Sequence, residues 1–308
     1  GPKIEEMGDD FEDIGWKYVY RGPKASRNLD RRERLPSGSS TNGLWFESTF
    51  RGQPDLVRRI GTPRGGLAGS KGSLLIRSLH TGIPGRRSRE SQQDDLIFGG
   101  GSRFGTTIDV KHRPNFKVHV YLPPFRYWDN ITDSSLGIRC DVEGRTSKSL
   151  TRKHFLNPVR TETKTYWPGF FLQFNSADDP RYDFKESSAL IIMRADAKGE
   201  DVVGPLIKRT GWWTFGLSFT PDGRVHYYAS PGVDPLTAKD YYSMVAVFRG
   251  LTREHKGRTE LARAALPPGQ LADKDLKAQP LLIRPPGPLE TPATFPSDCL
   301  RTPPGLVP

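Results

Sequence analysis

Residues 211–232 read GWWTFGLSFTPDGRVHYYASPG, a stretch in which side chains alternate in character on either side of a turn. Bulky apolar side chains occupy every second position of the first half: Trp213, Phe215, Leu217 and Phe219. Apolar side chains alternate again in the second half: Val225, Tyr227 and Ala229. A period of two is that of a β-strand with one buried face. The intervening TPDG combines a Pro for the first corner with a Gly that accepts positive φ, so the stretch predicts a β-hairpin in an antiparallel sheet.

The other face of this hairpin carries side chains suited to a ligand: Trp212, His226 and Tyr228. Sugar rings present C–H faces that stack on the rings of Trp and Tyr, while charged and amide groups hold the sugar hydroxyls. Trp128, in a loop after a Pro-Pro pair, and Trp167, before a predicted strand, add two more aromatic side chains. We therefore predict that these five residues bind the ligand. The alternative for each Trp is packing in the core or anchoring a loop.

Short strands recur along the rest of the chain. Alternation and turn residues predict strands at 16–20, 44–50, 73–79, 95–98, 106–110, 117–122, 136–142, 170–174 and 189–194, and a strand or a helix at 241–248. Many short strands with frequent turns predict a mostly β fold, a two-sheet antiparallel β-sandwich or jelly roll. A short helix is predicted at 259–266, and 11 of the 43 residues 266–308 are Pro, which predicts an extended tail. The expected domains are a β-sandwich at 1–250 and the helix with its Pro-rich tail at 251–308.

The chain of 308 residues has a formal net charge of +11, which favours anionic partners; an Arg-rich source genome is the alternative explanation. Residues 56–89 hold eight basic residues and no acid, but they lack the aromatics of single-strand nucleic-acid platforms, so nucleic acid is not an expected partner.

No apolar run is long enough to cross a bilayer. Because the chain starts with Gly1, we predict a secreted, periplasmic or cell-surface location, with a cut chain as the alternative. Cys140 and Cys299 leave both a disulfide and two free thiols open.

The hairpin resembles the late strand pair of concanavalin A-like lectin/glucanase domains, in particular the laminarinase-type glycoside hydrolases. Trp213-Thr214-Phe215 and the FTPDG at 219–223 match the aromatic-Thr-aromatic and Trp-Thr-Pro-Asp-Gly segments of that pair. The DDFE at 9–12, followed by Trp16, is similar to the opening of such domains. The resemblance implies a concanavalin-like jelly roll in a secreted bacterial protein. It also implies a structural Ca²⁺ held partly by N-terminal carboxylates, for which Asp9 and Asp10 are the candidate ligands.

The catalytic carboxylates of those hydrolases are where this chain departs from the family. The hydrolases carry Glu-x-Asp-x-Glu on one strand, so that both glutamates share a face. No such triple occurs here, and the nearest approach is DVE at 141–143. We therefore predict a secreted, non-catalytic protein that binds polysaccharide or acts as a structural or assembly component of the cell surface with protein partners. The alternative is a divergent glycoside hydrolase or lyase acting on an anionic polysaccharide.

One further loop has the composition of a calcium site. The DDPRYD at 178–183 places three carboxylates close together in sequence, and Ca²⁺ prefers oxygen ligands. The spacing is not that of a regular calcium loop, and a turn rich in Asp and Pro needs no metal. Both interpretations are open from the sequence alone.

Overall fold

The computed structural model describes residues 7–24, 37–48, 50–83, 85, 92–99, 108–149, 159–194, 201–236 and 241–247. The described part is mostly β, with several antiparallel sheets, as the sequence predicts. The described residues fall into two compact units, 7–108 and 109–247. The predicted domain boundary at 250, the predicted helix at 259–266 and the Pro-rich tail lie outside the described residues. Within the described ranges, no helix has the length and apolar character required to span a membrane.

The first unit has six short strands among its described residues. They are β1 (Tyr18–Val19), β2 (Ser39–Ser40), β3 (Trp45–Glu47), β4 (Leu56–Ile60), β5 (Ser73–Arg77) and β6 (Leu96–Phe98). One antiparallel sheet has the order β1-β2-β3-β6, and β4 pairs with β5 as a separate hairpin. Trp16, Tyr18 and Val57 form the buried hydrophobic cluster of this unit.

The second unit contains two four-stranded sheets and a two-stranded hairpin. Its strands are β7 (Asn115–Leu122), β8 (Ser135–Arg139), β9 (Val142–Ser149), β10 (Val159–Tyr166), β11 (Gly169–Asn175), β12 (Ser188–Arg194), β13 (Asp201–Ile207), β14 (Gly211–Phe219), β15 (Arg224–Pro231) and β16 (Tyr241–Val247). Sheet I has the order β7-β14-β15-β16, and sheet II has the order β8-β11-β12-β13. The remaining two strands, β9 and β10, pair with each other.

The hydrophobic core of the second unit draws side chains from both four-stranded sheets. The alternating residues of the predicted hairpin are all buried in it: Trp213, Phe215, Leu217, Phe219, Val225, Tyr227 and Ala229. Phe170, on β11 of sheet II, has its ring centroid 5.1 Å from that of Phe215 and 5.1 Å from that of Tyr227, both on sheet I. The inward side of the hairpin is therefore the one that the period-two pattern predicts.

The turn of the hairpin forms where the sequence places it. β14 pairs with β15 in antiparallel register from Trp213↔Pro231 to Phe219↔Val225. The Gly223 N–H donates to the Thr220 carbonyl at 2.9 Å, and Gly223 has φ 80°, a left-handed conformation that a glycine adopts without a Cβ clash. The predicted hairpin is thus confirmed in its strands and in its turn.

The structure describes residues 108–110 of the strand predicted at 106–110, and they do not form a strand. Val110–His112 is a 3₁₀ segment, because the Asp109 carboxylate accepts the Lys111 backbone N–H at 2.9 Å and caps it. The predicted strand at 136–142 is interrupted instead: β8 ends at Arg139, and β9 starts at Val142 in a different sheet. At 241–248 the sequence is compatible with a strand or a helix, and the structure has the strand β16.

Candidate functional site

The outer face of sheet I, the side away from the core cluster, gathers the polar and aromatic side chains of three strands. Cross-strand pairing sets the members of this face from β7, β14 and β15. They are Asn115, Lys117, His119, Tyr121, Trp212, Thr214, Gly216, Ser218, Arg224, His226, Tyr228 and Ser230. None of these positions is Asp or Glu. Three of the five predicted ligand-binding residues, Trp212, His226 and Tyr228, therefore share one face, as predicted.

An aromatic pair lies at one end of this face. Trp212 and Tyr121 are direct cross-strand partners, and their ring centroids are 5.5 Å apart with an interplanar angle of 67°. Edge-to-face packing of this kind holds each ring in a defined orientation. Both side chains are half-buried, and burial raises the pKa of the Tyr121 hydroxyl, so the phenol stays neutral at physiological pH. The pair is thus an ordered aromatic contact with an uncharged phenol.

A hydrogen-bond chain lies next to the aromatic pair. His119 Nδ1 is 2.8 Å from Thr214 Oγ1, and Thr214 Oγ1 is 2.8 Å from the Gly232 carbonyl oxygen. Thr214 has no exposed surface, so both contacts replace hydrogen bonds to water. Burial lowers the pKa of His119, and the nearby Lys117 charge lowers it further, so the imidazole is neutral at pH 7.

The middle of the face is covered by the chain itself. A Cβ placed on Gly216 would lie 2.6 Å from Leu236 Cδ1 and 3.5 Å from Tyr228 Cβ, so the Leu236 side chain rests directly on Gly216. Gly216 is consequently buried, and Thr214, whose hydroxyl contacts His119 and Gly232, is buried as well although it lies on the side away from the core. The sequence predicts a strand with one buried face, and β14 is buried on both faces at its centre for this reason.

His226 marks the far end of the face. It is the cross-strand partner of Ser218, and its Nε2 lies 3.5 Å from Thr220 Oγ1, at the limit of a hydrogen bond. Burial lowers the pKa of His226, while the Asp222 charge acts in the opposite direction. Asp222 itself forms an ion pair of 2.9 Å with Arg224 in the hairpin turn.

Two predicted ligand-binding tryptophans lie elsewhere. Trp128 packs against the core of the second unit, with its ring centroid 5.1 Å from that of Phe174, and its indole N–H donates to the Pro123 carbonyl at 2.8 Å. Trp167, between β10 and β11, is 42% exposed. Trp128 thus adopts the core packing that was the alternative, whereas a ligand role for Trp167 stays a prediction.

Sequence reasoning missed His119, Tyr121 and Thr214 as members of the site. Their signal is the alternation of residues 117–122, which places His119 and Tyr121 on one side of β7. The pairing of β7 with β14 places these two side chains beside Trp212. It connects parts of the chain that are far apart in sequence, since His119 and Thr214 are 95 positions apart. No local pattern in the sequence reports that pairing.

The candidate calcium ligands Asp9 and Asp10 lie in the first unit. The Asp9 carboxylate accepts hydrogen bonds from the indole N–H groups of Trp16 at 3.1 Å and Trp45 at 2.8 Å, and from the Asn42 amide at 2.8 Å. Asp10 is exposed and accepts the Glu12 backbone N–H. Among the described residues, no group of three or more His, Cys, Asp and Glu side chains is arranged to hold a metal. Asp9 is thus a hydrogen-bonding centre of the first unit, and a Ca²⁺ ion there stays a prediction.

The loop at 178–183 is held by an ion pair. The buried Asp179 carboxylate accepts Arg181 Nη2 at 2.7 Å and Nε at 3.0 Å, together with the Thr132 backbone N–H at 3.1 Å. The Arg181 side chain is the main reason why the pKa of Asp179 lies far below its usual range. These donors account for the aspartate without a metal.

Comparison of the chain with protein-family models, with curated proteins and with solved structures finds no match in any of the three. The resemblance to concanavalin A-like domains therefore stays a prediction that depends on the residues of the hairpin and of the N-terminal segment.

Proposed function

We propose that this chain is a non-catalytic β-sandwich protein that binds polysaccharide on the outer face of sheet I. The observation that carries the proposal is the grouping of Trp212, Tyr121 and His119 at one end of that face, with no carboxylate at its described positions. Aromatic rings stack on the C–H faces of sugars, and neutral imidazole and phenol groups exchange hydrogen bonds with hydroxyls. A few fixed polar groups beside an apolar surface are typical of ligand sites.

The same composition argues against glycoside cleavage at this face. Retaining and inverting hydrolases both need two carboxyl groups, roughly 5–10 Å apart, on either side of the scissile bond. The described outer positions of β7, β14 and β15 supply none. A divergent hydrolase or lyase is thus the outcome to be checked by an activity assay, and binding is the function that we propose.

The fold that we propose for the second unit is a sandwich of sheets I and II, of the concanavalin-like type, in a secreted or cell-surface protein. The shared hydrophobic core and the contacts of Phe170 with rings of sheet I support the face-to-face arrangement. The antiparallel pairing within both sheets is also that of a jelly roll.

A second candidate function, assembly with other proteins, is supported by the outer face of sheet II. Its pairing aligns an apolar stripe across three strands: Phe171, Leu190, Ile192, Val203 and Leu206. Val203 is 66% exposed and Leu206 is 37% exposed. The Arg194 guanidinium lies 5.1 Å from the Phe171 ring at the edge of the stripe. An exposed apolar stripe with a charged margin has the character of a protein contact surface.

The test is a binding measurement with two soluble polymers, the neutral glucan laminarin and the anionic alginate. Isothermal titration of the full chain at 0.05 and 0.5 M salt separates stacking, which persists at high salt, from charge attraction, which does not. Trp212→Ala should reduce binding about tenfold or more, the loss expected for one stacked ring.

Tyr182→Ala is the matched control because it removes an aromatic side chain, 40% exposed, from the loop between β11 and β12, away from the face that we propose for binding. Equal binding by wild type and Trp212→Ala would contradict the proposal, as would failure of both polymers to bind. Release of reducing ends from either polymer by the wild-type chain would establish the hydrolase alternative.

A further inference from the structure

His119 is the residue of the outer face whose proton can be placed from the geometry alone. Its Nδ1 and the Gly232 carbonyl oxygen both lie 2.8 Å from Thr214 Oγ1. A carbonyl oxygen has no proton to give, so the single hydroxyl hydrogen of Thr214 is donated to Gly232. The contact between His119 and Thr214 then requires the opposite direction, with Nδ1–H donating to the hydroxyl oxygen. A neutral imidazole has one N–H, so Nε2 of His119 carries a lone pair.

The surroundings of His119 stabilise this tautomer. Thr214 is fully buried, and reversing the hydrogen bond would leave either the Gly232 carbonyl or His119 Nδ1 without a partner. Lys117, on the same side of β7, opposes protonation of the ring. No hydrogen bond to Nε2 is found among the described residues, and the imidazole is only half-buried. The lone pair of His119 Nε2 is therefore a hydrogen-bond acceptor with a fixed direction, on the same face as Tyr121 and Trp212.

We propose that His119 Nε2 accepts a hydrogen bond from a hydroxyl of the bound saccharide, and that Thr214 is the positioning residue that fixes the required tautomer. This inference rests on the proposed function, and it specifies that the ligand contributes a hydroxyl group as hydrogen-bond donor. A polyol has hydroxyl donors beside the C–H faces that stack on Trp212. A site that directs an acceptor at a hydroxyl binds a deoxygenated analogue less well, because the acceptor is then left unpaired.

The tautomer is tested without a ligand by long-range ¹H–¹⁵N NMR of the imidazole in the full chain. The His119 signals are assigned by their absence in His119→Gln. We expect a protonated Nδ1 and an unprotonated Nε2 in the wild type and in Thr214→Ser, which keeps the hydroxyl. Thr214→Val removes the hydroxyl at nearly the same volume, so His119 should shift toward the Nε2–H form that free histidine prefers. A protonated Nε2 in the wild-type chain overturns the assignment.

The ligand contact is tested by titration with whichever of laminarin and alginate binds the wild type. His119→Gln and Thr214→Val should each weaken binding about tenfold, the effect of one ordinary hydrogen bond, whereas Thr214→Ser should bind like the wild type. Unchanged binding by His119→Gln overturns the contact while leaving the proposed function intact. Failure of the wild type to bind either polymer overturns the proposed function and the contact together, and the NMR result for the tautomer then stands by itself.

Discussion

The first unit contains a largely buried cluster of ion pairs, and we expect this cluster to contribute strongly to the free energy of unfolding of that unit. Lys24 Nζ lies 2.6 Å from Asp94 Oδ2 and 3.1 Å from Asp55 Oδ1, with side-chain exposures of 10%, 1% and 19%. Asp94 also accepts the Ser78 hydroxyl at 2.7 Å and the Gly82 N–H at 3.0 Å. Among the described residues of this cluster, the Lys24 ammonium thus supplies the positive charge that both carboxylates contact.

Replacing Lys24 by Met removes the cation and leaves the buried Asp94 carboxylate and the partly exposed Asp55 carboxylate without it. Breaking a buried pair by removing one partner costs about 3–5 kcal/mol, because the remaining charge stays out of water without compensation. A pair on the surface costs about 0–1 kcal/mol. We therefore expect the Lys24→Met substitution to lower the free energy of unfolding of the first unit by about 3 kcal/mol or more at pH 7.

The assay is urea denaturation of the full chain, with hydrogen exchange of first-unit amides to locate the change. Lys17→Met is the matched control because Lys17 lies on the exposed surface of the same unit. If Lys24→Met is too unstable to purify, Asp94→Asn keeps the shape and removes one charge of the cluster. A loss below about 1 kcal/mol in both variants, the range of surface pairs, would refute the reasoning.

Acid should weaken the same cluster. Although burial of Asp55 raises its pKa, the backbone N–H groups of His80 and Leu79 and the Lys24 ammonium together lower it below the usual value. A carboxylate whose pKa is lower in the folded state contributes stability above its unfolded pKa and loses it as pH falls through the folded value. The exchange protection of the first unit should accordingly decline below about pH 4, where unfolded aspartates become protonated.

Three further predictions concern the second unit. Burial lowers the pKa of His119, so the neutral Nε2 acceptor is present at pH 7 and is lost on acidification; titration with laminarin or alginate should show binding that is constant above about pH 6.5 and falls below it. Burial raises the pKa of Cys140 to about 12, so alkylation at pH 8, followed by peptide mass spectrometry, should be slower than that of an exposed thiol by about a thousandfold. Phe170→Ala should cost about 3–5 kcal/mol of unfolding free energy in urea denaturation, whereas Phe171→Ala, on the half-buried outer face, should cost clearly less.

Local pattern accounts for the parts of the fold that the sequence predicts. The hairpin at 211–232 is found because alternation and a turn lie within one short stretch. Strand β13 is missed because it contains Gly204 and Pro205, which are unfavourable in strand interiors, and because its apolar residues do not alternate. The strands β9 and β10 are missed because their sequences, VEGRTSKS and VRTETKTY, are polar and present no apolar face.

The candidate site shows the same division between local and long-range information. Trp212, His226 and Tyr228 share a face because one hairpin contains them all, and period two places them together. The His119–Thr214 contact depends on the pairing of β7 with β14, which the sequence does not encode locally. The loop position of Trp128 does not reveal that its indole contacts the Pro123 carbonyl and Phe174, so its packing against the core could not be predicted from the sequence.

The two outer faces of the second unit differ in a way that bears on function. β14 has neighbours on both sides, and the pairing with β7 and β15 fixes the positions of Trp212 and Thr214, so little conformational entropy is lost when a ligand contacts them. Sheet II presents an apolar stripe instead, with Val203 most exposed, which favours a protein surface over a hydroxylated polymer. If both proposals hold, Trp212→Ala should weaken polymer binding and leave protein association unchanged, while Val203→Asp should do the reverse. Sedimentation velocity and polymer titration on the same two variants measure both effects, and a variant that loses both activities would contradict this separation of the two faces.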